Sequence, residues 1–186
     1  MNTLRISIPY EYATNVAILN WHDILFAVNH KYFDHRCAIE HARIELENDD
    51  YPQEVLDLAC ICSDDAIFPH AIHPYIDELA NMVSEEDKCE TKDKIMYILL
   101  KLVYEQGAGL DSPYCNDILD VAENVWHDFD FPKSIVNFAA WLRYPSNEPD
   151  LGSIEKNKAR LLNYWKQFVD EQQQKWKSKP VAVSSR

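Results

Sequence analysis

An all-helical domain is what this sequence predicts, and three observations carry the prediction. Only three glycines, Gly107, Gly109 and Gly152, occur in 186 residues, and long periodic segments run between them. Apolar residues recur in those segments at three- and four-residue spacing, the period of a helix with one face in a core. Prolines such as Pro52, Pro113 and Pro132 stand at segment starts, where a missing N–H and a fixed φ suit the first helical turn. The expected architecture is an irregular bundle of about eight helices with a short extended N-terminal arm. It forms one domain over residues 1–176, with a frayed tail at 177–186. No residue signature repeats at a fixed period, which argues against a helical-repeat array.

The elements follow in order. Leu4 to Ile8 alternates apolar and polar residues, but a lone strand lacks a pairing partner, so an extended arm is expected. Asn20 can cap a helix carrying Trp21, Ile24, Leu25 and Val28, and Asp34 can cap the next, through Cys37, Ala38 and Ile44. That helix runs into Glu45, Glu47, Asp49 and Asp50, acids that oppose the macrodipole at a C-terminus and so are not there to stabilise the helix. Pro52 opens a short helix through Val55 and Leu58, and another is expected around Ile76 to Val83. Ser84 and the acids after it cap the longest apolar run, Ile95 to Tyr104, which has hardly any polar face and reads as the centre of the core. Gly107-Ala108-Gly109 stops it. Ser112-Pro113 opens a helix through Ile118, Val121, Val125 and Trp126, and Phe131-Pro132 breaks the chain before Ile135 to Leu142. Beyond a polar loop, Ile154, Leu161, Leu162, Trp165, Phe168 and Val169 form the stripe of the last long helix.

Composition bounds the class. Apolar residues at 47% and aromatic residues at 12% supply enough surface to offset the entropy of ordering the chain, so general disorder is excluded. No apolar stretch reaches bilayer length and the N-terminus has no apolar run before a small-residue cleavage site, so a cytoplasmic protein is expected. Five cysteines, Cys37, Cys60, Cys62, Cys89 and Cys115, make an odd set that reads as reduced thiols packed as small apolar residues, not as a disulfide framework.

Charge is the strongest functional signal. Residues 1–140 hold 26 Asp and Glu against 9 Lys and Arg, and residues 141–186 hold 5 against 9, giving −17 and +4 within a net −13. Such a field repels nucleic acid and attracts basic partners. Between Glu54 and Asp93 the acids Glu54, Asp57, Asp64, Asp65, Asp77, Glu78, Glu85, Glu86, Asp87, Glu90 and Asp93 face only Lys88 and Lys92. A solvated surface normally intersperses both signs, so this zone reads as an interface for a basic macromolecule, with Tyr51, Phe68 and Tyr75 as apolar anchors.

Other constellations are weaker. Cys60, Cys62, His70 and His73 offer zinc-type donors, but the spacing is unusual and Pro69 and Pro74 place the histidines in an irregular stretch. His30, His35 and His41 read as imidazoles on a surface helix. Asp128 and Asp130 beside His127 read as a helix exit with Phe129 and Phe131 turned inward and the acids in water. There is no Gly-x-Ser-x-Gly, phosphate-binding glycine loop or His-Glu-x-x-His, and no nucleophile, base and electrophile set. A non-enzyme without cofactor or metal is expected.

Lys94-Ile95-Met96-Tyr97-Ile98-Leu99-Leu100, Asp111-Ser112-Pro113, Val125-Trp126-His127-Asp128-Phe129-Asp130-Phe131-Pro132 and Tyr144-Pro145, with the final helix from Ser153, together carry a resemblance. They resemble an uncharacterised family of small bacterial helical proteins, domain of unknown function 2247, some of which appear as immunity proteins beside secreted toxins. The likeness covers roughly Asp93 to Lys175, with a fainter match at Trp21-His22-Asp23. The family pattern favours a methionine ahead of the last proline, where this chain has Tyr144. The resemblance implies a protein that binds and neutralises a cognate toxin, a nuclease (RNase) domain of a contact-dependent growth inhibition system. Nucleases need basic surfaces to hold phosphates, so carboxylates between Glu54 and Asp93 would occlude that surface. The competing readings are a zinc-binding protein or enzyme using the Cys/His donors, and a helical adaptor for another protein.

Overall fold

The computed structural model describes residues 2–48, 50–62, 68–111, 115–140 and 149–177. Among these residues there are nine α-helices, one short 3-10 helix and no strand, so the all-helical expectation holds. The expected tail at 177–186 lies outside the described residues except for Lys177, which ends the last helix. The chain divides into two compact units, one comprising Ser7–Thr14 and Leu19–Ile95, the other Met1–Ile6, Asn15–Ile18 and Met96–Arg186.

In the first unit, α1 (Tyr10–Val16) is followed by α2 (Trp21–Asn29), α3 (Cys37–Glu45), α4 (Gln53–Ala59) and α5 (Pro69–Asn81), and then by the start of α6 (Glu85–Gln106). The last residues of α1 belong to the other unit. A capping box starts α2: the Asn20 side chain accepts from Asp23 N–H at 2.9 Å and the Asp23 carboxylate accepts from Asn20 N–H at 2.9 Å. Both orphan donors are thereby satisfied. Asp34 does not cap α3; Arg36 stands at that position without a side-chain cap, and Asp34 instead holds Arg36 N–H and Nε at 2.9 and 2.8 Å. That bond keeps the Asp34 carboxyl well below its usual range, at about 2. Helix α5 begins earlier than expected, at Pro69, and carries Pro74 inside it. A proline at the first helical position loses nothing, because the first four N–H groups have no helical partner. Pro74 removes a single bond in the second turn, and buried Ile72, Ile76 and Leu79 hold the helix across it. Helix α2 packs on α5, and α4 packs on both α3 and α5. Ile24, Val55, Leu58, Ile72 and Ile76 form the shared core and are fully buried.

In the second unit, the remainder of α6 carries Ile98, Leu99, Leu100, Leu102 and Val103, all buried, as its unbroken apolar sequence requires. Gly107, at φ 66°, ends the helix. Gly109 adopts φ 89°, and a Cβ there would stand 2.8 Å from Ile6 Cδ1 and 3.2 Å from Val121 Cγ1, so the N-terminal arm lies against this turn only because the side chain is absent. Helix α7 (Ile118–Asp128) starts five residues beyond Pro113, because Asp117 and Asp120 form a second capping box. The Asp117 carboxylate also accepts from Lys158 Nζ at 2.5 Å. A 3-10 turn (Lys133–Ile135) leads into α8 (Val136–Ala139), and α9 (Ile154–Lys177) closes the unit. Phe138 of α8 stacks on Trp165 of α9 at 5.3 Å, with Phe168 beside it at 5.8 Å. Ile154, expected within the buried stripe, is 70% exposed.

At the helix exit after α7 only Phe129 is buried, while Phe131 is 52% exposed. Asp130 and Phe131 both take left-handed backbone, at φ 61° and 59°, and the Phe131 ring stands edge-on to those of Trp126 and His127, each at 4.8 Å. Asp128 is not left to water: it accepts from Thr3 N–H at 2.7 Å and from the Thr3 hydroxyl at 2.5 Å, fastening the N-terminal arm.

Candidate functional site

The division into units changes how the charge is read. Over the full sequence, the unit of Ser7–Thr14 and Leu19–Ile95 holds 19 Asp and Glu against 6 Lys and Arg, while the other holds 12 against 12. The entire net charge of −13 therefore belongs to one unit and the other is neutral. Chain order hides this, because the basic last helix falls in the same unit as the acids from Glu105 to Asp130. Among the described residues, cations of the acidic unit are bound within it. Lys94 Nζ meets Asp23 at 2.5 Å, Lys88 Nζ meets Glu85 at 2.7 Å, and Arg36 Nε meets Asp34 at 2.8 Å.

The expected interface residues lie on three consecutive helices. On α4, Asp57 is exposed and accepts from Gln53 at 2.8 Å, while Glu54 is half-buried. Asp64 and Asp65 lie outside the described residues. On α5, Asp77 and Glu78 are exposed and share a face with exposed His70, Pro74 and Asn81, spaced three or four apart. Phe68 precedes this helix and is 52% exposed, its ring 5.4 Å from that of His70. Tyr75 is half-buried. In the first turn of α6, Glu85 and Glu86 are exposed and Asp87 is half-buried. Ser84 caps that turn by accepting from Asp87 N–H at 3.2 Å, and acids are favourable at this end of a helix. Helices α4 and α5, which carry these acids, pack on each other. Met82, which sequence reading did not single out, is 56% exposed just past the end of α5, and Ile44, expected among the apolar positions of its helix, is 52% exposed on α3. Both sit at the apolar end of a stripe, and nothing in their spacing separates them from core residues.

Several side chains contradict their sequence reading. Cys60, Cys62 and Cys89 are exposed and Cys115 is partly so; only Cys37 is buried, where burial raises its thiol far above the ordinary range. His70 and His73 stand on α5 and not in an irregular stretch. Among the described residues, no group of three or more His, Cys, Asp or Glu is arranged to hold a metal.

His41 is no surface imidazole. Its Nδ1 lies 2.7 Å from the Tyr10 hydroxyl and its ring stands edge-on to Trp21 at 4.6 Å, while Trp21 Nε1 donates to Glu45 at 2.6 Å. Burial pushes the His41 imidazole from 6.5 down to about 4. Between those values the unfolded chain takes up a proton that the folded chain refuses, so the stabilisation is complete above pH 6.5 and is lost as pH falls through about 4. Burial raises the Glu45 carboxyl, and that shift has the opposite sign, favouring the fold as pH falls. Melting temperatures of the wild type and His41→Phe, measured across this range, should converge as the pH is lowered. Parallel curves would show that His41 does not titrate differently on unfolding.

A buried relay lies beside the acidic turn. Asp23, fully buried, accepts from Lys94 and from the Thr91 hydroxyl at 2.7 Å, and Thr91 Oγ1 lies 2.9 Å from His22 Nδ1. Asp23 therefore caps α2 and anchors it to α6 with a single carboxylate.

The family match spans residues 10–173, most of the chain. The chain belongs to DUF2247, uncharacterised proteins conserved in bacteria. Membership extends well ahead of Asp93, so the acidic helices lie within the family region along with the second half that carries the sequence motifs. Comparison with the curated proteins and with the solved structures found no match. No helix among the described residues is long and apolar enough to cross a membrane.

Proposed function

We propose that this DUF2247 protein is an immunity protein: it binds a cognate bacterial toxin, a basic nuclease (RNase) domain of a contact-dependent growth inhibition system, and covers the surface that would hold RNA or DNA. The observation that carries the reading is the segregation of charge. One unit bears the whole −13 while the other is neutral. A requirement for solubility alone would be met by acids on either unit, and like charges gathered in one unit lower its own stability by self-repulsion. The arrangement also has the anatomy of an interface, with exposed Phe68 and Met82 flanking the acids of α5. Carboxylates there pair with toxin Lys and Arg, speed encounter, and exclude phosphates from the same cations. No turnover is involved, and the protein acts in the cytoplasm, where an incoming nuclease would do its damage.

The test is co-purification with the polypeptide encoded directly beside it, followed by a nuclease assay of that polypeptide with and without the protein. A stoichiometric complex and loss of cleavage are expected. Active nuclease that neither binds nor loses activity would overturn the reading.

A further inference from the structure

A cavity of about 510 Å³ opens in the acidic unit between the end of the N-terminal arm, the first turn of α1 and the start of α3. Its size lies within the range of small-molecule sites, about 300–1,000 Å³. None of its lining residues is among the acids between Glu54 and Asp93.

The floor is apolar. Ile8 and Cys37 line it and are 2% and 4% exposed. Burial first, then the charges of Glu40 and Asp34, push the Cys37 thiol far above its ordinary range, so the floor carries no charge. The thiol has no hydrogen-bond partner among the described residues, which leaves a buried, polarisable group for a guest to meet. The walls are fixed. Ile8 N–H donates to the Tyr32 carbonyl at 2.8 Å, and the Tyr10 hydroxyl lies 2.7 Å from His41 Nδ1 while its ring stands edge-on to Phe33 at 6.2 Å. A cavity held in this way costs little to order when a ligand enters.

The mouth is charged. Arg36 neutralises Asp34 through Nε at 2.8 Å and Nη2 at 3.1 Å. Glu11 on α1 and Glu40 on α3 also line the cavity, are exposed, and have neither ion pair nor hydrogen bond at their carboxylates among the described residues. Three carboxylates against one guanidinium leave the cavity at −2. Such a site repels an anion. A neutral apolar guest would strip water from two carboxylates without replacing its hydrogen bonds. A metal needs a converging ligand set, and no group of three or more His, Cys, Asp or Glu forms one among the described residues. An alkyl chain ending in a cation satisfies floor and mouth together. Because Glu11 and Glu40 stand on different helices, a compact ammonium with donors in several directions suits them better than a planar guanidinium fork, which matches one carboxylate.

We propose that this cavity binds a primary alkylammonium group, its carbon chain over Ile8 and Cys37 and its ammonium taken by Glu11 and Glu40. A free aliphatic amine and a lysine side chain of a partner present the same chemistry. The inference stands independently of the toxin reading.

The test titrates the full chain with n-pentylamine at neutral pH and constant ionic strength, following the Ile8 methyl and Cys37 N–H resonances. The controls are n-pentanol, which lacks the charge, and ammonium chloride, which lacks the chain. Pentylamine should move both resonances saturably and bind about tenfold more tightly than pentanol, the difference made by a hydrogen bond to a charged group. Ammonium should move neither. Glu11→Gln combined with Glu40→Gln, both exposed and harmless to folding, should abolish the preference for the amine. No saturable shift at Ile8, equal binding of pentanol, or undiminished binding by the double variant overturns the inference. Repeating the titration on the co-purified complex separates the two sources. With a partner lysine in the cavity, the Ile8 methyl is already displaced and pentylamine no longer moves it; with a free amine as the occupant, the complex leaves that resonance in place and pentylamine moves it as before. Failure to obtain the complex bears on the immunity reading alone, because the first titration is made on the free protein.

Discussion

Lys94→Met is expected to lower the unfolding free energy by about 3–5 kcal/mol, the cost of leaving a buried charge without its counter-ion. The charge in question is Asp23, whose side chain is 0% exposed, against 9% for Lys94. Methionine matches the lysine stem in length and keeps its packing, so the loss reports the charge and not a cavity. Asp23 would retain the Thr91 hydroxyl and the Asn20 N–H, which places the effect toward the lower end of that range. Urea unfolding followed by circular dichroism measures it. Asp23→Asn in the Lys94→Met background removes the stranded charge but keeps an oxygen for Asn20 and Thr91, and should recover part of the loss. A double variant no more stable than Lys94→Met would mean that Asp23 is protonated or hydrated once Lys94 is gone.

This pair also marks how far the sequence could be read. Half of what Asp23 does was legible: Asn20 three residues ahead of an acid, before an apolar run, is a local capping pattern, and its geometry is as that pattern requires. The other half depends on Lys94, 71 positions away, and no periodicity signals it. In the chain Lys94 is only the residue that follows Asp93 and opens the Ile95 run, and the packing of α6 is what turns it inward. His41 went the same way. Its spacing on α3 was visible, but its burial comes from Tyr10 and Trp21 on other helices.

Helices were legible wherever apolar spacing and a cap agreed, as in α2 and α6. They were misread where proline or a cap acted locally. Pro69 and Pro74 suggested irregularity, yet one stands where no N–H is needed and the other interrupts an already packed turn. Ser112-Pro113 suggested a start that Asp117 takes instead. The acids of the candidate surface were visible as composition, but their assignment to one unit was not. A split by chain position at Trp141 gave −17 and +4, whereas the units divide as −13 and zero. The difference arises because the basic α9 shares a unit with acidic segments distant from it in sequence, and Lys158 on α9 is spent on Asp117.

Neutralising Asp77, Glu78 and Glu86 together, as Asp77→Asn, Glu78→Gln and Glu86→Gln, should slow association with the captured toxin by about tenfold at low salt, with little change in its dissociation. All three are exposed, so their interaction with an approaching cation is long-ranged and screened, and the effect should fade as ionic strength shortens the Debye length toward about 8 Å. Their removal should leave folding stability within about 0.5 kcal/mol, since they are surface carboxylates away from the core. The informative control takes the same charge from the neutral unit, as Asp130→Asn, Glu155→Gln and Glu171→Gln, also exposed. Stopped-flow association of the two variants separates two kinds of steering. If both slow equally, net charge alone guides the encounter and segregation into one unit has no kinetic consequence. If only the first slows, the partner is steered to the face of α5 and the start of α6, and the neutral unit is electrostatically silent in the encounter.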